Sequence, residues 1–125
     1  MSSIQVADQT FLAAPGAAVA AALSAPGKWR RWWPDLELDV REDRGDKGIR
    51  WSVQGALTGT MEVWLEPSLD GVILHYFLHA EPQRQLPPRK LAAANRERRV
   101  AGKTMSFELK DRLEGDRPAG VAPGN

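Results

Sequence analysis

The feature that most constrains this chain is a change of period. From Leu36 to His79 apolar and polar residues alternate one by one; beyond Pro87 and Pro88 the apolar positions recur at helical spacing. Alternation marks strands with two distinct faces, and apolar residues three or four apart mark one stripe of a helix. The alternating sets are Leu36, Leu38, Val40; Ile49, Trp51, Val53; Met61, Val63, Leu65; and Val72, Leu74, Tyr76, Leu78. Polar, glycine-bearing connections separate them at Asp43–Gly48, Gly55–Gly59 and Pro67–Gly71. Such connections predict hairpins, so the segments should form an antiparallel meander. The last segment is apolar on both faces, because Ile73 and Phe77 fall between its other apolar residues. It predicts a strand covered on both sides.

The flanking segments complete an α+β pattern. Ile4 to Leu12 reads as an edge strand, and Pro15 suits the first turn of a helix over Ala17 to Ser24. Lys28 to Trp33 predicts a second short helix or turn, stopped by Pro34. Arg89 to Glu114 predicts a helix about 39 Å long. It must cross the sheet to bury Leu91, Ala94, Met105, Leu109 and Leu113. The expected architecture is a curved sheet of about five strands on a long C-terminal helix. Residues 1–114 should make one domain, and the Pro- and Gly-rich stretch 115–125 a disordered tail.

Composition narrows the chemistry. With 125 residues the chain can bury one core. A net charge of +1 gives no global pull toward nucleic acid or membrane. The absence of cysteine excludes disulfides, thiol chemistry and Cys-type zinc sites. No signal-peptide pattern and no bilayer-length apolar run is visible, so a cytoplasmic home is expected. There is no phosphate-loop motif and no GxSxG-type serine, and neither cofactor nor metal is expected. Five Trp beside one Tyr point to bulky core or cavity walls.

Particular residues carry a resemblance. They are Phe11-Leu12-Ala13-Ala14-Pro15, then Val19 and Leu23, Pro26 with Trp29, and Trp32-Trp33-Pro34-Asp35-Leu36. Trp64-Leu65-Glu66-Pro67 and Gly71-Val72-Ile73-Leu74-His75-Tyr76 follow. In this order the chain resembles the START-like, or SRPBCC, superfamily, and within it the actinobacterial polyketide cyclase/dehydrase-like branch. The resemblance implies a helix-grip fold with a small-molecule cavity between sheet and helix. The sheet is about two strands shorter than the resemblance implies, which makes that cavity smaller or more open.

Candidate site residues fall into three groups. Trp51, Leu65, Leu78, Met105 and Leu109 are expected to line an apolar pocket, with Asn95 and Arg98 as its polar interruptions. An unpaired buried guanidinium is costly, so Arg98 needs a carboxylate, an anionic ligand or an escape to solvent. His75, His79 and Tyr76 are the weak acid–base candidates, and Glu62 on the neighbouring strand could join the two histidines. Gly102 implies a close helix–sheet approach, a bend in the helix or simple tolerance. Val100 and Phe107 lie opposite the buried stripe and suit either the first helices or a homodimer contact. Trp29 or Trp33 should point inward. The cluster Arg84, Arg89, Lys90, Arg96, Arg98, Arg99, opposed by Glu81 and Glu97, reads as a solvated helix face in preference to a surface for nucleic acid or an anionic membrane.

Three functions fit these residues. The first is binding of a small apolar or amphipathic molecule with a polar or anionic end. The second is a polyketide cyclase/aromatase-like enzyme, the third a regulatory or nucleic-acid-binding protein using the basic helix half. The face that the strand Val72 to His79 turns to the helix separates the first two. If Tyr76 and its apolar partners face inward, the pocket is nearly apolar.

Overall fold

The computed structural model describes residues 2–114. The expected tail at 115–125 lies outside the described residues. Strands β1 (Ile4–Leu12), β2 (Leu36–Asp43), β3 (Gly48–Gly55), β4 (Leu57–Ser68) and β5 (Gly71–Pro82) form one antiparallel sheet in the order β1-β5-β4-β3-β2. Helices α1 (Gly16–Leu23) and α2 (Pro26–Trp32) follow β1, and α3 (Pro88–Glu114) closes the fold. The β2–β5 meander follows from the hairpin signals. The β2–β3 connection carries a short 3-10 turn at Gly45–Lys47, and the next strand opens on Gly48 at φ 129°. A side chain at Gly48 would also strike the Val63 carbonyl across the ladder, so only glycine fits there.

The register places one apolar set on one face. Ile4, Val6, Ile49, Trp51, Val53, Met61, Val63, Leu65, Val72, Leu74, Tyr76 and Leu78 are buried with Met105 and Leu109 of α3. Each such side chain contributes about 1.5–3 kcal/mol on burial. Val40 shares the alternation but is 47% exposed. It lies on the edge strand beside a register shift between Val40 and Glu42, where the core ends.

Strand β1 is an edge, and α3 covers it with polar side chains. The Asn95 amide donates to the Ser3 carbonyl, and its oxygen accepts from the Gln5 N–H at 3.0 Å. Lys103 Nζ donates to the Gln9 carbonyl, Lys110 Nζ to the Phe11 carbonyl, and Glu114 accepts from the Ala13 N–H. These contacts occupy backbone groups that would otherwise template pairing with another strand. They also fix α3 along the sheet, which positions Gly102, Met105, Ser106 and Leu109 as its buried residues.

Gly102 is the point of closest approach. A Cβ built there would lie 2.5 Å from Cε2 and 2.7 Å from Cδ2 of Tyr76. The close-approach reading of this glycine is therefore the correct one.

Candidate functional site

A file of aromatic rings runs from α2 over the inner face of the sheet to the ring beneath α3. Trp29 meets Trp51 edge-on with centroids 5.4 Å apart, Trp51 meets Trp33 at 6.0 Å, and Trp33 stacks on Tyr76 at 6.1 Å. Two come from α2 and its end, two from inward positions of β3 and β5, so the file exists only once helix and sheet are together. Its outer end, Trp29, borders a groove of about 220 Å³ with Pro26, Arg30, Leu36, Glu37 and Leu38. Its inner end is the ring beneath Gly102.

Three polar atoms in this file make no hydrogen bond of ordinary geometry among the described residues: Trp33 Nε1, Trp51 Nε1 and the Tyr76 hydroxyl, although the Trp33 side chain lies near enough to the hydroxyl to lower its pKa. All three side chains are at most 1% exposed. A buried donor left unpaired costs about 1–3 kcal/mol. Burial pushes the Tyr76 phenol well above its ordinary pKa, and the Arg98 guanidinium and Trp33 only partly offset this. Tyr76 therefore stays a neutral O–H donor at any physiological pH.

Arg98 closes the roof. It donates to Asp35 through both guanidinium nitrogens, at 2.9 and 2.6 Å. Its side chain is 13% exposed and that of Asp35 50%. Asp35 sits at the junction of α2 and β2, so the pair latches that junction to α3. A second tie lies nearby, where Glu108 accepts from Trp32 Nε1 and pairs with Arg31. The hydrogen bonds from Arg98 hold the Asp35 carboxyl below its ordinary pKa, against desolvation. The latch thus stabilises the fold above the unfolded carboxyl pKa, about 3.9, and that contribution is lost as pH falls through the lower folded value. Asp35→Asn should be less stable than wild type at neutral pH, by less than about 1 kcal/mol because Asp35 is half exposed. The gap should close in acid as both proteins lose the pair. Melting temperatures of the two proteins across acid pH check this.

The histidines lie elsewhere. β5 turns Val72, Leu74, Tyr76 and Leu78 to the helix, and Ile73, His75, Phe77 and His79 to the far face. Tyr76 is thus separated from both histidines. His75 Nε2 lies 2.9 Å from Glu66 Oε1, between Trp64 and Phe77 at 4.5 and 6.3 Å between ring centroids. Glu62 pairs instead with Arg44 at 2.8 Å, so the set His75, His79, Glu62 is not brought together. Among the described residues no group of three or more His, Asp or Glu could hold a metal ion.

No family model matches the sequence, and no curated protein matches it. Solved structures match its fold. A START superfamily protein from Mycobacterium smegmatis superposes with a TM-score of 0.68 at 13% identity, over 88% of this chain and 97% of that one. The chain has the START-like helix-grip fold. The Aha1 dimer from Colwellia psychrerythraea matches this grip with a TM-score of 0.65 at 15% identity, over 92% and 99% of the two chains. The di-domain ARO/CYC StfQ of the steffimycin biosynthetic pathway does so at 0.62 and 19% identity, over 94% of this chain and 52% of that one.

Within the grip, Trp51, Leu65, Leu78, Met105 and Leu109 all face the same interior, each at most 1% exposed. A side chain lining a water-sized void would keep accessible surface, so here these residues are packed against their neighbours. Asn95 is spent on the edge of β1. Arg98 joins Asp35, the structural ion pair allowed for in the sequence. The residues that sequence reasoning did not single out for binding are Trp33 and Asp35. Their signal was the Trp-Trp-Pro-Asp run, which marks a bulky, abruptly turned segment but not its distant partners.

Proposed function

We propose that this protein binds a small amphipathic molecule with a carboxylate end inside the grip. The observation that carries the proposal is the trio of buried, unpartnered donors at Trp33, Trp51 and Tyr76. Three donors want acceptors in an interior that is apolar apart from Ser106, and the Arg98 guanidinium, held by Asp35, stands at its edge. In this reading the groove at Trp29, Leu36 and Leu38 admits the ligand. Arg98 exchanges Asp35 for the ligand carboxylate, which releases the α2–β2 junction. The apolar part lies along the aromatic file, and the acceptor oxygens take the indole N–H and phenol O–H groups. The neighbours share this helix-grip fold, and because the closed interior is packed, the ligand opens the latch and parts the aromatic file to enter.

The test compares decanoate with decanol, followed by NMR titration. Decanoate should bind at least roughly tenfold more tightly, the worth of one charge-assisted hydrogen bond. Arg98→Gln should remove most of that difference. Equal binding of the two molecules would count against the proposed site.

A further inference from the structure

The outward face of α3 carries an unusual stripe. Arg89, Arg96, Val100, Lys103 and Phe107 are spaced by seven, four, three and four residues, which puts them on one side of the helix. Val100 is 59% and Phe107 51% exposed, so they do not pack on the first helices. Arg89, Arg96 and Arg99 are exposed around them. Arg96 and Arg99 form no ion pair among the described residues. Lys103 Nζ lies 5.3 Å over the Phe107 ring while pairing with Asp8 at 2.9 Å, which holds the ring against a cation at the surface. Beside the stripe, α3 and β1 enclose a groove of about 270 Å³ lined by Ala7, Asp8, Arg99, Val100 and Lys103. The acidic residues near this face are Asp8, which is paired with Lys103, Glu97 and, one turn beyond Phe107, Asp111.

We propose that this face docks on an anionic lipid surface. Arg89, Arg96 and Arg99 meet the headgroups, one headgroup enters the groove beside Arg99, and Val100 and Phe107 insert shallowly. Charge complementarity selects an anionic occupant. The apolar pattern selects a lipid one. A partner helix needs a continuous row of anchors, and a stable protein interface needs a broad apolar core; two side chains two turns apart supply neither. A lipid surface has no shape to match and accepts isolated apolar side chains between cations. Nucleic acid would use the arginines but gain nothing from exposed Val100. Among the described residues no helix is long and apolar enough to cross a membrane, so the contact is peripheral.

Co-sedimentation with vesicles tests this. Binding should be seen with phosphatidylcholine vesicles holding about one-third phosphatidylserine in low salt, and be lost in high salt. Vesicles of phosphatidylcholine alone should not bind. Val100→Ser and Phe107→Ser keep the charge and sit on the surface, so they should melt as wild type does yet bind roughly fivefold more weakly each. Arg96→Gln with Arg99→Gln should weaken binding roughly tenfold or more. The proposal is overturned by absence of binding to the anionic vesicles, by equal binding to uncharged ones, or by serine variants that bind as wild type. Retention on duplex DNA without vesicle binding would overturn it in favour of a nucleic-acid surface.

Discussion

Gly102→Val should destabilise the protein by about 3 kcal/mol or more, the upper range for overpacking a core. A Cβ at 102 already falls 2.5 Å from the Tyr76 ring, and valine adds two methyls. The ring cannot retreat freely, because it is 1% exposed and stacked on Trp33. Gly102→Ala is the sharper comparison. At an exposed helical site it would stabilise by about 1 kcal/mol. Here the clash should outweigh that gain and leave a net loss. In a Tyr76→Leu background, where the ring is gone, the same change should turn neutral or favourable. Chemical denaturation of the four proteins closes the cycle. A Gly102→Ala variant more stable than wild type would show that α3 does not approach the sheet this closely.

Tyr76→Phe should raise stability and weaken binding together. It removes a buried hydroxyl that makes no hydrogen bond of ordinary geometry and leaves the stacking with Trp33 intact. Relieving one such group is worth about 1–2 kcal/mol, or several degrees in melting temperature for a domain of this size. Decanoate affinity should fall at the same time, since one of its donors is lost. Stability and function opposed at one atom is the mark of a site held ready for a ligand. A Tyr76→Phe protein that melts lower would mean the hydroxyl is satisfied in the folded chain. Its claim as a ligand donor would then fail.

Much of this was written in local pattern. Period-two alternation, glycine-bearing connections and Pro87–Pro88 define the strands and the helix, because those signals depend only on near neighbours. The inward face of β5 was not legible, since both of its faces are apolar. The outer one spends that character on the stack of Trp64, His75 and Phe77. Alternation did settle one point in advance: Tyr76 cannot share a face with His75 and His79. Arg98 and Gly102 stood out as anomalies on a buried stripe, and both mark real contacts. Their partners did not show, because Asp35 lies 63 positions from Arg98 and Tyr76 belongs to another element. The aromatic file was hidden for the same reason. Five tryptophans announce bulk, but only the folded chain lines up Trp29, Trp51 and Trp33.

The central claim is that ligand acceptors fill the inner donors. The decanoate titration tests it most directly when the tryptophan indole N–H resonances are followed one by one. The account predicts that Trp33 and Trp51 shift strongly as their N–H groups gain an acceptor. Trp64 on the outer face should stay where it is. Movement of Trp64 alone, or no movement of Trp33 and Trp51 while decanoate binds, would contradict it.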